Sequence, residues 1–342
     1  MGKLVLAGDI GATKTNLGLF REGSQGLARV SFCNFASCGE KDFVRQTKAF
    51  LVREKAETKL MSVCFGVAGP VCDGSVEATN LGLKLNEKEL QREFACARLS
   101  LVNDLFATAA AIALLQENNL AVLQEGEAFL GRSATSVVLA PGTGLGMAFM
   151  IGGEDQLRIL ASEGGHADFA PRNEDEIELW RYLKRRFGRV SRERLLSGPG
   201  LLNIYDWLRQ RPENKKEVAL AAVQTSAAQI VAAAAVDYLA GKALATFVAL
   251  LGSVAGDLAM TGLAAGGLYL AGGIPVRIID HLRHERFLAA FHDKGRMVSW
   301  LKKVPVKVVL DPEAALLGAA RIAVSASRGQ LAGTPRSRAI TS

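Results

Sequence analysis

Apolar and polar positions along the first third of the chain switch between two periods. Short apolar runs at residues 3–8, 15–21 and 27–35 predict strands, the last two joined through the hairpin link Glu22-Gly23-Ser24-Gln25-Gly26. Residues 41–55 alternate charged and apolar positions at helical spacing, 61–67 form an apolar strand pattern that stops at Gly69-Pro70, and 86–94 predict a helix with charged faces. A short strand at 100–103 leads into an alanine-rich helix to Gln116, with Asp104 in place as its N-cap.

The pattern then starts again. Strands are predicted at 136–140, 147–151 and 157–160, with a glycine turn at 142–146 between the first two. An acidic stretch at 174–178 opens a helix to Phe187, a further turn follows at 193–197, and residues 217–263 are mostly helical and rich in Ala and Leu. Strands at 268–271 and 306–309 precede a last helix at 312–324, after which the small, polar and basic tail is expected to fray. Two halves that each open with strand, glycine turn and strand predict a duplicated α/β architecture with a cleft between its parts.

Composition narrows the class. A length of 342 residues, 49% of them hydrophobic and 22% charged, fits two packed domains and excludes wholesale disorder. The net charge of +7 is scattered, and basic and acidic residues interleave over 174–194, which predicts a solvated helical surface and no nucleic-acid partner. Five cysteines (Cys33, Cys38, Cys64, Cys72 and Cys96) form no C-x-x-C pair, so a reducing, cytoplasmic setting is expected. Asp9 cuts the apolar opening too short for a signal peptide. Residues 258–276 carry no charge and are long enough to span a bilayer, but the break at Ala271-Gly272-Gly273-Ile274-Pro275 predicts a buried helix, a core strand and a turn instead, and no membrane.

Three glycine turns carry the candidate chemistry. Gly8-Asp9-Ile10-Gly11-Ala12-Thr13-Lys14-Thr15 nearly matches a P-loop, with Thr13 in place of its second glycine. A P-loop opens a helix, however, and residues 16–20 continue as a strand. The expected geometry is a strand–turn–strand whose backbone N–H groups face a phosphate, with Asp9 near a metal and Thr13, Lys14 and Thr15 as donors. Gly142-Thr143-Gly144-Leu145-Gly146 is again flanked by strands, which disfavours a dinucleotide fold. Gly272-Gly273, at a strand end, leaves room for a flat base or ribose. No G-x-S-x-G elbow supports a hydrolase, and His166 has no third partner at metal-ligand spacing.

These turns occur in order with Val102-Asn103-Asp104, Glu163-Gly164-Gly165-His166-Ala167-Asp168-Phe169-Ala170-Pro171 and Glu193-Arg194-Leu195-Leu196-Ser197-Gly198-Pro199-Gly200. The set resembles the bacterial glucokinase family of the hexokinase/actin-like superfamily. The resemblance implies a ribonuclease H-like two-domain fold with an interdomain cleft. Its small domain spans 1–114 plus 306–327, its large domain 115–305, and a disordered tail 328–342. It also implies a homodimer, ATP and Mg2+ as cofactors, and glucose as substrate. Asn103, Asp104, Glu163, His166 and Glu193 fall on the family's sugar-contacting positions, with Asp104 at the catalytic base. Gly8, Asp9, Gly11, Ala12, Thr13, Lys14 and Thr15, with Gly142, Thr143 and Gly144, fall on its phosphate loops, Asp9 reaching Mg2+ through water. Gly272 and Gly273 fall on its adenosine site. Lys14 departs from the commoner Gly-Gly-Thr-Asn, and Pro141 is also unusual. The cysteine cluster of zinc-carrying relatives is missing after His166, so no structural zinc is expected.

Phosphoryl transfer from ATP to a sugar hydroxyl needs in-line positioning, charge neutralisation and a proton acceptor. Asp104, at a strand-to-helix junction, is placed to be that acceptor. The alternatives are a kinase for another hexose or amino sugar, a sugar-sensing regulator of the same fold, and an actin-like ATPase. The early first strand leaves no space for a DNA-binding helix-turn-helix, which argues against the regulator.

Overall fold

The computed structural model describes residues 4–23, 26–57, 60–78, 82–127, 134–152, 157–214 and 226–328. They fall into two compact units, the first within Met1–Leu115, Gln156–Ala161 and Asp311–Ser342, the second within Gln116–Asp155 and Ser162–Leu310.

The first unit opens with strands β1 (Leu4–Ile10), β2 (Lys14–Gly23) and β3 (Gly26–Ala36), helix α1 (Glu40–Arg53) and strand β4 (Leu60–Val67). A small antiparallel sheet of β5 (Val71–Cys72), β6 (Ser75–Ala78) and β7 (Leu83–Asn86) follows, then α2 (Glu87–Glu93), β8 (Leu99–Asn103) and α3 (Asp104–Ala111). The main sheet runs β3-β2-β1-β4-β8, antiparallel from β3 to β1 and parallel from β1 to β8. β1 reads Leu-Val-Leu-Ala-Gly-Asp-Ile and is buried except at Asp9, as a central strand covered on both faces should be. Register aligns Ile10 with Val67 and Val67 with Asn103, so three parallel strands end together.

Helix α1 turns Phe43, Thr47, Phe50 and Leu51 to the core, a single stripe at helical spacing. Phe43 meets Phe65 of β4 edge-on, with ring centroids 5.2 Å apart. The cap of α3 differs from expectation. Asn103 is the N-cap, its Oδ1 accepting the Leu105 N–H at 2.9 Å, and Asp104 is the first helical residue. The helix also stops early, passing into a single 3₁₀ turn at Ile112–Leu114.

A helix from far along the chain, Ala314–Ser327, completes this unit by packing on α3, β1 and β4. Its Ala and Gly residues let backbones approach, and a Cβ on Gly318 would overlap the Ala107 carbonyl oxygen of α3. Ser62 Oγ donates to the Ala323 carbonyl at 2.5 Å, and Arg98 to that of Ala326 at 2.7 Å. Residues 325–327, expected to fray, are helical. The expected tail from 329 onward lies outside the described residues.

The second unit repeats the plan. It contains β9 (Leu120–Gln124), β10 (Thr135–Pro141), β11 (Leu145–Ile151), α4 (Glu174–Phe187), α5 (Gly198–Gln210), α6 (Ala227–Ala233), α7 (Tyr238–Thr261) and β13 (Gly267–Leu270), and its sheet takes in β12 (Arg158–Ser162), of which only Ser162 is counted within this unit. Helices α8 (Gly273–Arg277), α9 (Ile279–Arg283), α10 (Glu285–His292) and α11 (Val298–Leu301) precede β14 (Val306–Val309). The sheet order is β12-β11-β10-β13-β14-β9, in which β10 pairs antiparallel with β11 and parallel with β13, and β13 parallel with β14. From its outer hairpin strand inward this matches β3-β2-β1-β4-β8, so the duplication read from the sequence is a duplication of sheet topology. β9, which the apolar pattern did not reveal, adds an antiparallel edge to β14.

Helix α7 is long and apolar enough to cross a membrane, yet 72% of its most apolar window is buried within the protein. Gly252 and Gly256 admit α10 against it, since a Cβ at Gly252 would overlap the Phe287 carbonyl oxygen. The stretch expected to be mostly helical over 217–263 holds α6 and α7, with Asp237 capping the second, and its first residues, 217–225, lie outside the described residues. Val306–Val309, which the sequence-based division gave to the small domain, pairs with β13 and β9 and so belongs to the second sheet.

Candidate active site

In open α/β sheets, ligands bind beyond the carboxyl ends of parallel strands, where loops and helix starts converge. At that edge of the first unit lie Asp9, one residue before the end of β1, and Asn103-Asp104, at the junction of β8 and α3. Asp9 pairs in register with Asn16 on one side and with Gly66 on the other. Gly66 lets the elements close up: a Cβ there would stand 3.2 Å from Ala107 Cβ and 3.7 Å from both Asp104 Cα and the Gly8 carbonyl oxygen.

Burial pushes the Asp9 carboxyl up to about 6, the charge of Asp104 adding to the rise, while the Asn16 amide and Lys14 oppose it. Asn16 Nδ2 donates to Asp9 Oδ2 at 3.4 Å, and Asn16 Oδ1 is buried without a hydrogen-bond partner. Burial also raises Asp104, opposed by the Leu105 N–H, which donates to Asp104 Oδ1 at 2.8 Å. A carboxylate so raised is a stronger proton acceptor than a solvated one. The neighbouring Asn103 locks this corner, donating from Nδ2 to the Gly69 carbonyl at 3.0 Å.

The β1–β2 turn exposes Ala12, Thr13 and Lys14, with Gly11 partly covered. The Gly11 N–H donates to the Lys14 carbonyl at 3.0 Å and closes the turn. Two residues expected to face phosphate are turned elsewhere. Thr15 is 1% exposed, and its hydroxyl lies 3.1 Å from Ser37 Oγ, so its side chain braces the turn from behind. Gly8 is a packing residue, because a Cβ would come within 2.5 Å of Phe65 Cδ1. The brace itself, Ser37, donates to the Gly11 carbonyl at 2.6 Å, and its N–H to that of Thr13 at 3.1 Å. A lone serine after β3 offered no signal in the sequence.

The second unit gathers the other expected site residues. Glu163 precedes the 3₁₀ turn Gly164–His166, and Glu193 lies in the 3₁₀ turn Arg192–Arg194. His166 Nε2 stands 3.8 Å from Glu163 Oε2, and its Nδ1 stands 4.0 Å from Glu193 Oε1. Two carboxylates around an imidazole offer both donors and acceptors, which is what a ring of sugar hydroxyls requires. Glu193 Oε2 also accepts the Leu145 N–H at 3.0 Å, tying this cluster to the β10–β11 turn. Within that turn the Gly142 N–H donates to the Gly144 carbonyl at 2.8 Å, while the Gly142 carbonyl accepts from Gly198 N–H, at the start of α5, at 2.8 Å. Thr143 is exposed at its tip.

Gly272 joins the same neighbourhood. Its φ of 87° lies in the left-handed region that favours glycine, and a Cβ would stand 3.2 Å from the Pro141 carbonyl oxygen. Gly273 borders open space. The expected site residues therefore form two groups: Asp9, the first turn and Asn103-Asp104 in the first unit, and Glu163, His166, Glu193 and two glycine corners in the second.

A family model described as Glucokinase matches residues 6–326. The chain belongs to the glucokinase family. Among its relatives, a glucokinase of Synechocystis sp. is 38% identical, the alignment covering 94% of this chain and 98% of the relative. Among solved structures, a glucokinase from an Antarctic psychrotroph superposes with a TM-score of 0.84 at 30% identity, covering 95% of this chain and all of the other. A glucokinase from Balamuthia mandrillaris in complex with glucose shares the fold, with a TM-score of 0.72 at 22% identity and 94% of each chain covered. The repeated sheet plan is the hexokinase/actin-like architecture of this glucokinase family, and both groups of site residues fall within the matched span.

Proposed function

We propose that this chain transfers the γ-phosphoryl group of ATP to the 6-hydroxyl of glucose, with Asp104 accepting the hydroxyl proton. The observation that carries the reading is the Asp104 carboxylate, half-buried at the end of three parallel strands and held by the Leu105 N–H of its own helix. Burial that raises its proton affinity, with an orientation fixed in advance, is what a general base needs. Asn103, Glu163, His166 and Glu193 are assigned to the sugar, whose hydroxyls they match in donors and acceptors. Gly11, Ala12, Thr13 and Lys14, with Gly142, Thr143 and Gly144, are assigned to the phosphates, and Gly272-Gly273 to the adenosine.

Asp9 is assigned to Mg2+. Among the described residues no group of three or more His, Cys, Asp or Glu stands ready to hold a metal. A single carboxylate suits Mg2+, which keeps most of its water and takes the rest of its oxygen ligands from substrate phosphates. When bound, the ion neutralises charge on the transferring phosphate oxygens. The chain's own contribution is to hold Asp9 in place through Asn16 and to orient Asp104. The family resemblance supports a cytoplasmic homodimer as the setting, and the scattered charge supports no role for nucleic acid.

A coupled assay of the purified chain with glucose, mannose, fructose and N-acetylglucosamine, each with ATP, ADP or polyphosphate, tests the reading. Glucose with ATP is expected to give the highest kcat/KM, and Asp104→Asn to abolish most of it. Preferred turnover of another sugar, or an Asp104→Asn enzyme with parental kcat, overturns it.

A further inference from the structure

The backbone of one residue, Leu145, touches both segments assigned to the sugar. Its N–H donates to Glu193 Oε2 at 3.0 Å. Its carbonyl oxygen lies against Gly165, where any Cβ would overlap it, so the loop bearing Glu163 and His166 rests on the backbone of the same residue. Leu145 is also the first residue after the glycine turn assigned to phosphate. The backbone of Glu193 is fixed from behind, because Ser197 Oγ donates to its carbonyl at 2.8 Å while capping α5. That leaves the direction of its carboxylate to be set by the Leu145 N–H and by what stands at position 144. A Cβ on Gly144 would meet Glu193 Oε2 at 2.6 Å and Cδ at 3.4 Å, and no backbone atom within 4 Å. Any side chain there therefore expels the carboxylate from its berth and disturbs little else.

We propose that Gly144 and the Leu145 amide are positioning residues for the sugar, aiming Glu193 so that the phosphate turn and the sugar grip share one carboxylate. The proposal rests on the assignment of Glu193 to the sugar. Oε2 serves the turn, leaving Oε1, on the His166 side, to meet a hydroxyl. A shift of the turn on phosphate binding then redirects the sugar contact, and by linkage the sugar alters the turn's affinity by the same factor. A Glu193 that merely braced the turn would leave sugar binding indifferent to position 144.

The test is calorimetric titration of glucose, without nucleotide, into the parent chain, Glu193→Ala, Gly144→Ala and Gly198→Ala. The Gly198 methyl would also lie against the turn, 3.6 Å from the Gly142 carbonyl oxygen, but would not meet Glu193. Glu193→Ala is expected to lose binding, Gly144→Ala to weaken it about tenfold, within the usual range of coupled sites, and Gly198→Ala to stay within about twofold. Loss with Glu193→Ala but parental affinity with Gly144→Ala overturns the positioning role alone. Parental affinity with Glu193→Ala overturns the sugar assignment and the proposal with it. An amide spectrum of the unsubstituted chain supplies an independent reading: glucose alone is expected to move the Leu145 resonance, and a Leu145 signal unmoved at saturating glucose overturns the proposal.

Discussion

Asp9 and Asp104 share a strand edge where burial disfavours their charge, whereas Glu163 and His166 keep 80% and 59% of their side-chain surface exposed. The two regions divide the work differently. At the first, the groups assigned to metal and proton transfer are held where ionisation is costly, so reactivity and stability oppose each other. At the second, groups assigned to recognition stand near water and cost the fold little. Glu193 is intermediate, 32% exposed and tied to backbone.

Substitutions put this contrast to the test. The largest effect is expected at Asp104: Asn in its place should lower kcat by about 100- to 10,000-fold, the usual contribution of a general base, with glucose affinity nearly unchanged. A steady-state loss confined to KM would place Asp104 with the recognition groups instead. Asp9→Asn should next separate activity from stability. Its carboxyl is raised to about 6 from an ordinary 3.8, so between those values the folded chain holds a proton that the unfolded chain has released. Stability therefore falls as pH rises through that window. Without divalent cation, Asp9→Asn should be more stable than the parent at pH 8 by about 3 kcal/mol, with the gain gone below pH 4 in urea melts. Ser37→Ala removes the hydroxyl behind the first turn and should cost about 1 kcal/mol, raising KM for ATP and not for glucose. The smallest stability change is expected at exposed His166: Ala there should alter unfolding free energy by less than about 0.5 kcal/mol while raising KM for glucose severalfold.

Much of this was legible from residue order. Short apolar runs gave the strands of both main sheets except β9, and the glycine turns fell between the pairs that flank them. What stayed hidden depended on contacts between distant segments. The strands β5–β7 hold only two to four residues each, too few to show a period. Gly8 and Thr15 belong to a motif that faces ligand in outline, yet Phe65 and Ser37 claim them for packing. Asp104 looked like a helix cap because Asp is common there; Asn103, one residue earlier, takes that place and leaves Asp104 on the first turn of the helix. The Leu145 side chain is an ordinary core residue, and the positioning role proposed for its backbone amide leaves no mark in side-chain chemistry.

The helix Ala314–Ser327 covers β1 and β4, although some 300 residues separate it from the first strand. At about 5–20 residues per second, translation leaves that sheet face bare for roughly 15 to 60 s. During that interval the second unit, whose last strand ends at Val309, emerges entire. The unit begun first on the ribosome is thus the last to be finished, and a chain interrupted before residue 314 presents an uncovered apolar sheet to the chaperones that meet it.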